Sequence, residues 1–153
     1  MDFTAHIVSA TTDVFNTMIL LEATSGEPLS EKTTVFGNSV SALLGLSGDL
    51  KGMLCIHCPE QGARAITANL LGIDVDELNE DVNDAMGELA NMVAGGLKVQ
   101  LTAAGKALEL SIPTAIAGAS YSVNGLASAE SVTVPFTVED WQFLVELRYV
   151  LNA

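Results

Sequence analysis

The chain has 153 residues, enough for one domain with its own core. It carries 19 Asp and Glu against 6 Lys and Arg, a formal net charge of −13. That excess argues against nucleic acid and anionic membrane surfaces as partners, because both are bound through clustered Lys and Arg, and it favours a basic partner or serves solubility alone. Hydrophobic residues make up 49% but aromatic ones only 5%, so the core must be built from aliphatic side chains.

No stretch reaches the ~18 to 20 apolar residues of a membrane span, and Met1-Asp2-Phe3-Thr4-Ala5-His6 lacks the basic start of a signal peptide. Two cysteines are too few for a disulfide framework. These features predict a cytoplasmic protein with reduced thiols.

Ile7, Val8, Val14, Phe15, Met18, Ile19 and Leu21 fit one broad helical face, which predicts a helix over residues 4–23. Gly26-Glu27-Pro28 breaks the chain. Alternation of Val40, Ala42, Leu44 and Leu46 predicts a strand over 35–46. Leu50, Met53, Leu54 and Ile56 predict another over 50–58, with a hairpin turn at Ser47-Gly48-Asp49. Pro59 opens a helix over 60–71 and Gly72 stops it.

The longest helix is predicted over 77–104, with Val82, Met86, Leu89, Val93, Leu97 and Leu101 on its apolar face. Strands follow near 108–112, 132–138 and 143–151, and the Gly-, Ser- and Ala-rich stretch 118–128 reads as a loop. This order predicts a single α+β domain spanning Met1–Ala153, with an antiparallel-rich sheet packed against two long helices. Strand edges near 132–151 are candidates for pairing between subunits. An internal echo is also visible, since both long helices lead into strand pairs and Asp13 and Asn16 repeat an acid–amide spacing found later.

At about 100° per residue, Glu88, Asn91, Asp84, Gly95 and Asp81 share one stripe of the long helix, opposite its apolar face. Such a stripe is either a solvated helix side or a docking surface. Asn and Gly are poor interior helix residues, yet Asn91, Gly87, Gly95 and Gly96 cluster beside Glu88. Small residues around a carboxylate and an amide would let another molecule approach closely. That pair can orient one water and hold one cation, which suits hydrolysis of a labile bond brought by a partner.

Other constellations carry less. Cys55-Ile56-His57-Cys58 has C-x-x-C spacing, but residues three apart on a strand face opposite sides, so core packing is favoured over redox or metal chemistry. Neither His6 nor His57 has a predicted acidic neighbour, so no hydrolytic triad is expected. No phosphate-binding G-x-x-x-x-G-K-S/T loop is present. Asp74, Asp76, Glu77, Glu80, Asp81 and Asp84 form an acidic run that either favours the helix N-terminus or steers a partner.

The segment Asp84-Ala85-Met86-Gly87-Glu88-Leu89-Ala90-Asn91-Met92-Val93-Ala94-Gly95-Gly96-Leu97-Lys98 resembles the signature helix of the CheX branch of the CheC/CheX/FliY phosphatases. The family marker is a Glu and an Asn three apart in an E-[IL]-x-N-[MI]-[IV]-x-G context. Val14-Phe15-Asn16-Thr17-Met18, Gly45-Leu46-Ser47-Gly48, Leu70-Leu71-Gly72 and Ser111-Ile112-Pro113 fit the same branch, so the resemblance covers nearly the whole chain.

The resemblance implies a CheC/CheX-like fold and removal of the phosphoryl group from the phospho-aspartate of a CheY-type response regulator. On this reading Asn91 orients the attacking water, Glu88 pairs with the regulator's lysine, and Asp84, Gly87, Gly95 and Lys98 contribute to docking. Mg2+ is expected on the regulator, with no metal or other cofactor belonging to this chain. The resemblance also implies a homodimer. CheC-like members carry two such motifs, and Asp13 with Asn16 reads as a degenerate second site. A non-catalytic module that binds a response regulator is the alternative, and a purely structural or assembly protein is a third reading.

Overall fold

The computed structural model describes residues 2–30, 35–122 and 130–151. Helix α1 spans Phe3–Val14 and widens into a π-helical turn, Phe15–Ile19. Strands β1 (Thr24–Ser25), β2 (Val35–Gly48) and β3 (Leu50–Pro59) follow, then helices α2 (Glu60–Leu71) and α3 (Glu80–Ala103). The chain ends in β4 (Leu108–Leu110), β5 (Thr114–Ser122), β6 (Glu130–Val138) and β7 (Trp141–Leu151). None of the described helices is long and apolar enough to cross a membrane.

All strand pairs are antiparallel, in the order β1-β6-β7-β3-β2-β4, with β5 also on β2. The predicted alternation sets the buried face. Val40, Ala42, Leu44 and Leu46 of β2 are buried beside Leu54 and Ile56 of β3 and Val145 and Leu147 of β7. The apolar side of α3, Val82, Met86, Leu89, Val93, Leu97 and Leu101, joins the same core. Phe15, Phe136 and Phe143 stack within it, so three of the few aromatic residues sit in one place.

The echo between halves has a structural counterpart. A helix precedes the β2–β3 hairpin and another precedes the β6–β7 hairpin, and the hairpins join through β3 and β7. Each helix lies across the other half: α1 packs on β6, and α3 packs on β2 and β3.

Four expectations are corrected. The first helix does not continue to residue 23. The N–H of Leu20 donates to the Phe15 carbonyl at 2.7 Å, and Leu20 adopts a left-handed conformation (φ 62°) that ends the helix. The long helix starts at Glu80, because the Asn79 side chain accepts from the Val82 N–H and caps it. Residues 118–122, read as loop, are the end of β5, whereas 123–128 lie outside the described residues. Small residues hid this strand: Ala115 and Ala117 register against Ala42 and Val40, and α3 packs on β5.

The fourth correction concerns edges. Strand β7 is interior, paired with β3 and β6. The outer edge of β6 is covered by β1 and by the N–H groups of Gly26 and Leu29, which donate to the Pro135 and Thr133 carbonyls. Residues 132–151 therefore do not offer the free edge expected of them.

The second face of the sheet carries a buried polar network. The Ser41 hydroxyl and His57 Nδ1 are 2.6 Å apart, and His57 Nε2 and Glu146 Oε1 are 3.0 Å apart. Arg148 donates to both Glu146 oxygens, from Nε at 2.9 Å and Nη2 at 3.2 Å. The Phe36 ring stacks on His57 at 4.1 Å. Burial alone would push the Glu146 carboxyl up, but the hydrogen bonds from His57 and Arg148, with the guanidinium charge, outweigh it and hold the group below its ordinary value.

Glu146→Gln removes the charge that Arg148 is buried against and should destabilise the fold by about 3 to 5 kcal/mol in urea unfolding. Because the folded carboxyl is the stronger acid, its contribution is present above the ordinary value of 4.5 and fades as pH falls below it. The wild-type urea midpoint should drop through that window, and the Glu146→Gln midpoint should drop less.

Candidate functional site

Helix α3 buries one side against the sheet and leaves the other facing out. Glu88 is exposed and Asn91 half-buried, one turn further on and about 4.5 Å along the axis. Neither side chain has a hydrogen-bond or ion-pair partner among the described residues. Asp84 is exposed and Gly95 half-buried, and both continue the same stripe on either side of the pair. The carboxylate and the amide are thus held on a rigid element with their polar atoms uncommitted.

The three glycines have different reasons. A Cβ on Gly96 would lie 3.0 Å from the Ala10 Cβ, so this glycine lets α1 and α3 approach closely. A Cβ on Gly87 would meet the Pro113 ring at 3.8 Å, an ordinary contact. A Cβ on Gly95 would meet nothing within 4 Å. Of the three, only Gly96 is explained by a close intramolecular neighbour; Gly95 meets none and lies one turn beyond Asn91.

Beside Glu88 lies an open pit of about 410 Å³ between α3 and the start of β5. Glu80, Asp84 and Glu88 form its acidic side, and Pro113 and Ala115 the apolar side. None of these three acids has an ion-pair partner among the described residues. Lys98, expected to contribute to docking, lies 3.9 Å from Glu109 in an exposed pair.

Asp13 and Asn16 line a second depression, an open groove of about 570 Å³ between α1 and α3. The helices are antiparallel here, since His6 meets Gln100 and Ala10 meets Gly96. Asp13 sits in regular helix and Asn16 in the π-helical turn that follows it.

Sequence reading missed one constellation. Ser41, His57 and Glu146 stand in the order hydroxyl, imidazole, carboxylate, and the β2–β3 and β3–β7 registers place them together. The signal was available only through that cross-strand pairing, because 89 residues separate His57 from Glu146. All three are buried, and Glu146 is already held by Arg148, so the set does not present a nucleophile to solvent.

Cys55, His57 and Glu146 also bring three ligand-type atoms within 4.8 Å of one another. The guanidinium on Glu146 already supplies the cation there, and a metal would have to displace it. Cys58 points instead into the helix-side core, where burial pushes its thiol up. The two cysteines thus lie on opposite faces and form no disulfide.

A family model described as chemotaxis phosphatase CheX matches residues 40–137, which include the whole of the Glu88–Asn91 stripe. The chain belongs to the CheX family. The CheY-P phosphatase CheX of Thermotoga maritima is 22% identical over 144 residues, covering 93% of each chain. A chemotaxis protein CheX of Desulfovibrio desulfuricans has a crystal structure that superposes with a TM-score of 0.87 at 28% identity, over 99% of this chain and 100% of that one. The CheX–CheY–BeF3–Mg2+ complex of Borrelia burgdorferi gives a TM-score of 0.79 at 23% identity, over 97% of each chain, and shares the fold.

The glycine geometry yields opposite expectations for neighbouring CheX-type positions. Gly95→Ala should raise stability by about 0.5 to 1 kcal/mol, because the new methyl enters open space in a helix interior. Gly96→Val should lower it by about 1 to 3 kcal/mol, because α1 must be pushed away. Chemical denaturation of the two variants measures both.

Proposed function

We propose that this protein is a phosphatase of a CheY-type response regulator, with Asn91 orienting the attacking water and Glu88 pairing with the regulator's active-site lysine. The observation that carries the reading is the Glu88–Asn91 pair itself, uncommitted on the exposed face of α3 inside the segment that matches the CheX family. Asp84, Glu88, Asn91 and Gly95 offer no hydroxyl, thiol or imidazole, and on this reading the attacking group is water.

The phospho-aspartate arrives on the partner. The Asn91 amide accepts a hydrogen bond from a water and fixes it in line with phosphorus. A new P–O bond forms, the bond to the aspartyl oxygen breaks, and inorganic phosphate and a free carboxylate leave. Mg2+ on the regulator neutralises the developing phosphoryl charge. Because Asn91 is half-buried, its amide starts with fewer orientations to lose than an exposed one.

Gly95 keeps the surface flat one turn away, where the regulator's backbone approaches. The acidic balance of the chain attracts a lysine-bearing active site and speeds encounter. Two buried thiols without a disulfide fit a reducing cytoplasm. The homodimer implied by the family would use an edge other than the covered one of β6.

Phosphate release from a phosphorylated CheY-type receiver domain, with Mg2+ present, tests the reading. Asn91→Ala should lose about a hundred-fold or more in kcat, with little change in KM. Glu88→Ala should raise KM by about ten-fold or more. Wild-type turnover no faster than that of Asn91→Ala would overturn the phosphatase reading and leave a binding module if the complex still forms.

A further inference from the structure

The corner between β4 and β5 stands next to the pit and has no part in the chemistry described so far. Ser111 fixes one side of it: its N–H donates to the Gly45 carbonyl at 3.0 Å, and its hydroxyl accepts from the Gly45 N–H at 2.7 Å. Pro113 fixes the other side, its ring resting by Gly87 on α3. Between these anchors Ile112 is 88% exposed, more than any other large hydrophobic residue of the described structure.

A single exposed aliphatic residue ordinarily means little. Here the backbone on both sides is tied down and proline restricts the residue before it, so Ile112 is held out at little further entropic cost on binding. The pit beside it pairs the Pro113 ring with Glu80, Asp84 and Glu88, three carboxylates without ion-pair partners among the described residues. An apolar knob beside an unpaired acidic wall complements a surface with an apolar side chain next to a basic one.

We propose that the Ile112–Pro113 corner and Asp84 form a second contact of the docking surface, taking an apolar side chain of the receiver domain that stands beside a basic one. This rests on the response-regulator reading above and extends it from the reacting pair to partner selection. Glu88 and Asn91 engage the reacting centre. The corner and Asp84 hold a patch outside it, so their loss weakens binding and leaves the chemical step intact.

The test uses the full chain and a CheY-type receiver domain locked with beryllium fluoride and Mg2+, with Kd measured by titration. Ile112→Ser should raise Kd about five-fold. Asp84→Asn should raise it about three-fold and flatten its salt dependence. Both should raise KM with kcat unchanged in phosphate release. Leu151→Ser, an exposed aliphatic position beside Leu101 and about 20 Å along α3 from Glu88, serves as the control and should bind as wild type. If wild type binds and turns over while Ile112→Ser and Asp84→Asn match it, this inference fails alone. If wild type neither binds nor turns over, the response-regulator reading fails and takes this inference with it.

Discussion

Gly96 lies against Ala10, where a Cβ would come within 3.0 Å of the Ala10 Cβ, and that close contact sets how far apart α1 and α3 run. The His6–Gln100 pair extends the seam by another turn. With α1 on one flank and the sheet beneath, α3 has one allowed rotation, the one that buries Val82, Met86, Leu89, Val93, Leu97 and Leu101. Once that rotation is set, Glu88 and Asn91 have nowhere to point but outward. The orientation is a by-product of packing: the forces that stabilise the core also aim Glu88 and Asn91 outward.

On the proposed reading, the Asn91 amide and the Glu88 carboxylate form half of an active site, and the metal and the phosphoryl group belong to the partner. What remains for this chain is positioning, and a rigid helix with unpaired polar groups supplies it. The buried Ser41–His57–Glu146 set makes the contrast plain. It has the residue types of a hydrolase but not the exposure, and its arginine marks it as a structural network.

Much of this was legible in the chain. Period-two alternation found β2 and β3, and three- and four-residue spacing found the buried face of α3. Gly72 stopped α2 where expected, with φ 69°. The Glu88–Asn91 stripe was legible because helical geometry is local. What was not legible depended on distant partners. Strand β5 is written largely in small residues and is placed by its ladder with β2. The Ser41–His57–Glu146 network is set by cross-strand register, and Gly96 is explained by Ala10 on another helix. Gly87, Gly95 and Gly96 looked alike in sequence and separated only when their neighbours were known.

The crossing of the two halves has a consequence for how the molecule comes apart. Each hairpin is roofed by the helix that belongs to the other, and the hairpins share the β3–β7 ladder. Neither half can shed its partner without baring its own apolar face. The helix that carries Glu88 and Asn91 therefore has no private melting transition, and amide protons along its buried turns should exchange on the same slow clock as those of the central strands. On the proposed reading, a docking surface of this kind stays assembled between encounters and needs no ordering step when a partner arrives.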